Sequence, residues 1–332
     1  MKISVVIPYY QRNSGILRRA VSSALKQKFL PFEIVVVDDG SPVPARAELQ
    51  DLLLNSVPRV VIVQQPNAGA DIARNKALDN VHPEADYVAF LDSDDEWFED
   101  HLAHASWALE QGFDVYFSDF YQLNQKISAF NRAKRIRVEE HKKIHPTEPI
   151  YEYQGDMFNQ ILTGNILGTS TIVYNYRKFS TVRQPEGFKH TGHEYIFWLD
   201  LATQTKQFAF SARPACRYGN GVNIFAEPAW GTDKYLSVLH DEIKYRKYIL
   251  NNYNLSPEQA KFVRQRIQAS RESFARGLVH NLLSNGKIDR AVLLNQWRID
   301  PLSLVSALWM PGILLYERFR HNLLYMRSPN GF

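Results

Sequence analysis

The amino-acid sequence predicts an α/β fold built on a mostly parallel sheet, with a helical C-terminal extension. Short β-branched runs recur at residues 3–7 (ISVVI), 33–37 (EIVVV) and 59–65 (RVVIVQQ), and a largely apolar run, YVAFLD, follows at 87–92. Segments with apolar residues at helical spacing separate them. From Ser256, the sequence SPEQ reads as a helix start with Pro257 at the first helical position. Strands rich in Val and Ile that alternate with helices form a parallel sheet covered on both faces.

The first strand runs into Pro8-Tyr9-Tyr10-Gln11-Arg12, and GILRRAVSSALKQ supplies the helix that returns the chain to the second strand. That strand ends in Asp38-Asp39-Gly40-Ser41. The third is followed by Asn67-Ala68-Gly69 and a helix with Ala73, Ala77 and Leu78 on one face. The fourth ends in Asp92-Ser93-Asp94-Asp95-Glu96. Beyond residue 125, the charged stretch 124–149 reads as a mobile, solvated surface excursion. GNILGTSTIVY, residues 164–174, resumes strand character, and GHEYIFWLDLATQ predicts an amphipathic helix with Tyr195, Phe197, Trp198 and Leu201 toward the core. These features divide the chain at 1–125, 126–255 and 256–332.

At 332 residues and 45% hydrophobic, the chain can bury a sizeable core. Its net charge of +4 is too small to imply a nucleic-acid partner. A single cysteine, Cys216, excludes an intrachain disulfide and favours a reducing, cytoplasmic location; in a strand it reads as a core residue. The opening MKISVVIP is too short an apolar run for a signal peptide.

The polar clusters all follow the carboxyl ends of predicted strands, where open α/β sheets bind ligands. The turns at the opposite ends, around Lys28 to Pro31 and Pro83 to Asp86, carry no paired carboxylates. Crowded carboxylates raise one another's pKa unless a cation holds them, so Asp92, Asp94 and Asp95 point to a divalent metal; a solvated turn is the alternative. No G-x-G-x-x-G follows the first strand and no G-x-x-x-x-G-K-[ST] occurs, which argues against dinucleotide and P-loop sites; the spacing after Asp92 also fails an EF-hand.

Four pieces, SVVIPYYQR, EIVVVDDGS, NAGADIARNKAL and FLDSDDEW, occur in an order and spacing that resembles the inverting family-2 glycosyltransferases of GT-A fold, of the bacterial surface-polysaccharide type. The resemblance implies that residues 1–125 bind a nucleotide diphosphate sugar, with Pro8, Tyr9, Tyr10, Arg12, Asn67 and Gly69 at the pocket. It places Asp38 or Asp39 on the base and Arg74 on the nucleotide. Asp92-Ser93-Asp94 looks like the family's D-x-D motif, with Asp94 ahead of Asp92 as direct ligand of Mg²⁺ or Mn²⁺. Residues 126–255 are then the acceptor-binding and catalytic-base half. The family's base is usually the Asp of an E-D pair, and His193-Glu194 stands in its place here. Glu194 aligns with the base and is preferred; His193, with an ordinary pKa of about 6.5, stays open, as does a helix-capping role for both. Arg217 and Asn223, in ARPACRYGNGVNIF, are candidate diphosphate contacts, a surface salt bridge being the other reading for Arg217.

From Lys261 onward, eleven basic residues stand against four acidic ones, a net +7, beside an apolar run from Pro301 to Tyr316 that is too short to span a bilayer. The extension 256–332 therefore either lies on an anionic membrane or packs within the protein. Together these readings predict a metal-dependent hexosyltransferase using a UDP-sugar and a lipid-linked glycan acceptor. It would be cytoplasmic, with peripheral contact at the inner membrane face. The alternatives are a catalytically silent nucleotide-sugar-binding protein and a docking module.

Overall fold

The structure is a computed structural model and describes residues 1–55, 57–222, 230, 232–284 and 288–309. The chain divides into two compact units, Met1–Gly187 with His193–Asn223, and Phe188–Gly192 with Ile224–Phe332.

The first unit is an α/β layer structure. Its elements begin with β1 (Ile3–Tyr9), α1 (Ile16–Leu25), β2 (Glu33–Asp38), α2 (Ala45–Glu48), α3 (Gln50–Asn55), β3 (Arg59–Gln64), α4 (Ala70–Leu78) and β4 (Tyr87–Phe90). They continue with β5 (Glu96–Trp97), α5 (His101–Glu110), β6 (Val115–Tyr121), α6 (Ala129–Ala133), β7 (Lys142–Lys143), β8 (Ile150–Glu152), α7 (Met157–Thr163), β9 (Val173–Asn175), α8 (His193–Gln204) and β10 (Phe208–Arg217). The sheet order is β3-β2-β1-β4-β9-β6-β10-β8-β7, with β5 paired to β10. The first four strands are parallel, as their Val/Ile runs require; every residue of β1 and β2 is buried. β9 then runs antiparallel to both β4 and β6. Tyr9, Asp38 and Gln64 stand level across β1, β2 and β3, so the residues that follow emerge along one edge.

Three expectations are corrected here. The stretch 124–149 is not a solvated excursion: Phe130 is 5% exposed and packs on Phe117 and Phe210, Ile136 is buried, and Lys142–Lys143 pair with β8. A few well-placed apolar residues suffice to fasten a charged segment. The strand over 164–174 is shortened to Val173–Asn175 by a 3₁₀ turn at Thr169–Thr171. α8 is less amphipathic than predicted, because Ile196, Phe197, Trp198, Leu199 and Leu201 are all buried while Tyr195 is half-buried.

The second unit is helical: α9 (Asp233–Asn252), α10 (Pro257–Leu283), α11 (Arg290–Ile299) and helical residues 301–309. Helix thus begins before Ser256. Ser256 and Gln259 form the expected capping box, their side chains and backbone amides bonding reciprocally. Leu236, Leu239, Phe274, Leu278 and Val292 make the core, against which Leu304 and Ala307 pack. Asp300, 1% exposed, accepts from Arg271 Nε at 2.7 Å, pairs with Lys247 Nζ at 2.8 Å and takes the Ser303 hydroxyl. The opposite sides of the last helices carry exposed Leu294, Trp297, Leu302, Leu308 and Trp309. Among the described residues no helix is long and apolar enough to cross a membrane. Lys287, Pro311, Leu314, Leu315, Tyr316, Glu317, Arg318, Arg320 and Arg327 of the predicted basic, apolar extension lie outside the described residues.

Candidate active site

The loops leaving the parallel strands are bound to one another by side chains. Asp38 accepts the backbone N–H of Ser41 and of Ala45, both at 2.8 Å, shaping the turn after β2 and the start of α2. Asp39 accepts from Ala68 N–H at 2.8 Å, Gly69 N–H at 2.9 Å and Gln65 Nε2 at 2.7 Å, while Asn67 donates to the Asp39 carbonyl. Gly69 has φ 106°, which a side chain would strain. Pro8 and Tyr9 are buried, Tyr9 within the core cluster, whereas Tyr10 is half-buried and Arg12 exposed at the strand end.

Gln11 is a residue the sequence reading did not single out. Its Nε2 donates to Ser93 Oγ at 3.2 Å, its Oε1 accepts Val222 N–H at 2.9 Å, and its backbone exchanges hydrogen bonds with Ser41. One amide side chain therefore ties the first strand end to the Asp92–Asp95 loop and to residue 222.

Asp92, Asp94 and Asp95 leave β4 together. Asp95 is fastened structurally: its carboxylate accepts the Ser170 hydroxyl at 2.5 Å and Gly219 N–H at 3.1 Å. Ser170 also accepts Asp92 N–H at 2.9 Å. Burial, with Asp92 beside it, pushes the Asp94 carboxyl up to about 6, and burial likewise raises Asp95. The segment 219–221 lies against this loop so closely that a Cβ on Gly221 would fall 2.3 Å from Asp94 Oδ2. Among the described residues no three His, Cys, Asp or Glu side chains are grouped to hold a metal. A hard cation shared with a diphosphate needs only one or two carboxylates, the rest of its shell being phosphate and water. Asp94, a carboxylate short of positive charge, and Asp92 beside it are oxygen donors that fit a cation of that kind.

Arg74 is buried and paired on two sides. Its side chain is 4% exposed; Nη2 pairs with Asp92 Oδ1, and Nη1 lies 3.2 Å from Glu194 Oε1. Burial works against its charge, but Asp92 and Glu194 more than offset this and hold it protonated. Glu194 sits in the first turn of α8, where burial raises its carboxyl pKa against the pull of Arg74. His193 is buried, its Nε2 4.0 Å from Glu194 Oε1. The structure thus brings Asp92, Asp94, Arg74, Glu194 and His193 into one neighbourhood. Among the described residues Arg217 makes no salt bridge; its guanidinium lies over Phe98 and Tyr121 at 5.7 and 5.8 Å. Cys216 is buried in the core, where burial raises its thiol pKa and leaves it inert. Asn223 lies outside the described residues.

This sheet, with its antiparallel β9 and acidic loop after β4, is the fold of GT-A glycosyltransferases. It is similar to S. aureus TarS 1–349 in complex with UDP-GlcNAc, with a TM-score of 0.54 and 19% identity over 85% of this chain and 72% of that one. Mannosyltransferase PcManGT from Pyrobaculum calidifontis, in complex with GDP-Man and Mn²⁺, gives a TM-score of 0.51 at 14% identity over 93% and 87% of the two chains. Residues 4–179 match Glycosyl transferase family 2, and the chain belongs to that family. The succinoglycan biosynthesis protein ExoW of Rhizobium meliloti (strain 1021) is 32% identical over 225 residues, 68% of this chain and 70% of that protein. The chain is accordingly a glycosyltransferase.

Proposed function

We propose that this glycosyltransferase is metal-dependent and inverting. It moves a hexose from a nucleotide diphosphate sugar, a UDP-sugar in the first instance, to a hydroxyl of a lipid-linked glycan in surface-polysaccharide assembly. The observation that carries the reading is the joining of Asp92 at the end of β4 to Glu194 at the start of α8 through Arg74. The biosynthetic setting is supported by the likeness to the succinoglycan protein, and the donor class by the nucleotide-sugar complexes of the structural neighbours.

Asp94, with Asp92, would hold Mg²⁺ or Mn²⁺, which when bound supplies positive charge for the departing diphosphate. Glu194 is the general base. As the acceptor oxygen attacks the anomeric carbon from the face opposite the diphosphate, the new C–O bond forms and the bond to the phosphate oxygen breaks. The nucleoside diphosphate leaves with that electron pair, and the acceptor proton passes to a Glu194 carboxylate oxygen. Burial suits Glu194 to the task, because a raised pKa makes the carboxylate a stronger base. The Asp38 and Asp39 loops, with Tyr10, Arg12, Asn67 and Gly69, border the donor pocket. The basic, apolar second unit gives peripheral contact at the inner membrane face.

A screen of nucleotide sugars for Mn²⁺-dependent thermal stabilisation identifies the donor. With that donor, Glu194→Gln lowers turnover by about two to four orders of magnitude with donor affinity kept, and His193→Gln lowers it less. A fully active Glu194→Gln protein, or a dead His193→Gln protein beside it, overturns the assignment of the base.

A further inference from the structure

We propose that the basic segment 126–143 is a docking surface of the first unit for an anionic phospholipid leaflet, and that it holds the catalytic edge of the sheet to the surface in which a lipid-linked acceptor is anchored. The second clause rests on the reading of the acceptor as lipid-linked; the first does not.

Seven basic residues stand against two acidic ones in this segment, a net +5 where the whole chain has +4. All seven are exposed. The pair of Arg137 with Glu140 at 2.9 Å lies in solvent, where it neutralises little. Arg132 reaches only the Gln122 side chain, Arg135 the Thr163 hydroxyl and Lys143 the Thr147 carbonyl. Among the described residues no carboxylate pairs with these three, nor with Lys126 or Lys134.

The segment is fastened so that these charges face outward. Ala129, Phe130 and Ile136 are buried, and Asp119, 1% exposed, accepts Phe130 N–H at 3.0 Å. α6 then closes at Lys134 with φ 52°, a left-handed position that glycine fills without strain; a lysine stands there instead. The fastening also fixes which edge carries the charge. β4 and β6 are both antiparallel to β9, so they run the same way, and the chain leaving β6 at Tyr121 emerges from the edge that bears Asp92–Asp95.

The chemistry of the face favours a lipid surface. Phe130 is buried and His141 lies against Tyr153 and Phe210, so the segment exposes no ring on which a nucleic-acid base could stack. Ile127, 60% exposed beside Lys126, instead offers an apolar side chain at headgroup depth among cations.

The test compares the full chain with a variant carrying Lys126→Gln, Arg132→Gln, Lys134→Gln and Lys143→Gln, by co-sedimentation with phosphatidylcholine vesicles with and without phosphatidylglycerol. A basic residue close to an anionic leaflet is worth about fivefold in partitioning, so the variant should bind the anionic vesicles about twentyfold less well even if only two of the four reach the headgroups. Salt should weaken the parent's binding, and arginine at Lys126, Lys134 and Lys143 should preserve it. Transfer to a short soluble acceptor should be unchanged, and transfer to a vesicle-embedded lipid-linked acceptor should fall with binding. Should the fourfold variant not fold, Lys126→Gln with Lys134→Gln, whose side chains make no ion pair, carries the test with an expected loss of about tenfold. Equal binding of parent and variant to anionic vesicles, or of the parent to neutral and anionic ones, overturns the proposal. Vesicle binding needs no acceptor, so a parent that binds vesicles through these residues yet transfers to no lipid-linked glycan refutes the acceptor reading and upholds the surface.

Discussion

Replacing Asp94 by Asn should stabilise the metal-free protein at neutral pH while disabling it. Burial and the adjacent Asp92 raise the Asp94 carboxyl from 3.8 to about 6. At about 1.36 kcal/mol per pKa unit, holding that group ionised costs the fold up to about 3 kcal/mol. The sign follows from the direction: a carboxyl whose folded pKa is raised contributes stability that is fully present below its unfolded value and is lost as pH rises through the folded one. In EDTA the parent should therefore lose stability between about pH 4 and pH 7, and the asparagine variant, which has no charge there, should lose less. Urea unfolding at pH 8 should show the variant ahead by about 1–3 kcal/mol, with the gap closing below pH 4. Mn²⁺ with the nucleoside diphosphate should reverse the order, since a ligand at about 100 times its Kd stabilises the binding-competent protein by about 2.7 kcal/mol. A variant no more stable than the parent at pH 8 in EDTA, or a gap constant from pH 4 to pH 8, would refute the account of Asp94 as an under-neutralised carboxylate.

Gly221→Ala puts a methyl group 2.3 Å from Asp94 Oδ2, so the carboxylate or the segment has to move. The Mn²⁺-dependent donor Kd should rise about tenfold, the effect of about 1.4 kcal/mol, and calorimetry finding it unchanged would show that Asp94 does not bear on the donor. For the second unit, Leu308→Ser with Trp309→Ser should weaken co-sedimentation with anionic liposomes about tenfold or more and leave transfer to a soluble acceptor intact; equal binding by parent and variant counts against membrane contact. Substitution is the sharper tool than truncation before Pro301, which would also remove the buried Ser303.

The parallel half of the sheet was legible because β1 and β2, buried on both faces, and their half-buried neighbour β3 are spelled in consecutive β-branched residues; the acids at the strand ends stood out against that background. The rest depended on contacts between distant segments. VYFSDFY, the central β6, mixes aromatic and polar residues and gives no such run. Ser170 reads as part of a strand, yet it acts as a hydroxyl bridge between Asp92 and Asp95. Arg74 was assigned to the nucleotide from its place in NAGADIARNKAL, and only the arrival of α8 reveals Glu194 on its other side. Gln11 and Gly221 lie within stretches that the sequence marks, but nothing in the sequence marks either residue individually. An amide earns its place from what surrounds it, and a glycine from what comes close.

The bonds from Asp39 to residues 65, 68 and 69 also bear on how such an enzyme can be re-engineered. A donor loop is usually regarded as a cassette that can be lifted from one enzyme and set into another. Here the loop after β3 is shaped by a side chain just past the end of β2, and the loop after β4 by one just past the end of β1. A chimaera that imports residues 65–69 without the matching residue at position 39 brings in a sequence stripped of its template. The smallest portable piece of this pocket is a pair of neighbouring strand ends, taken together.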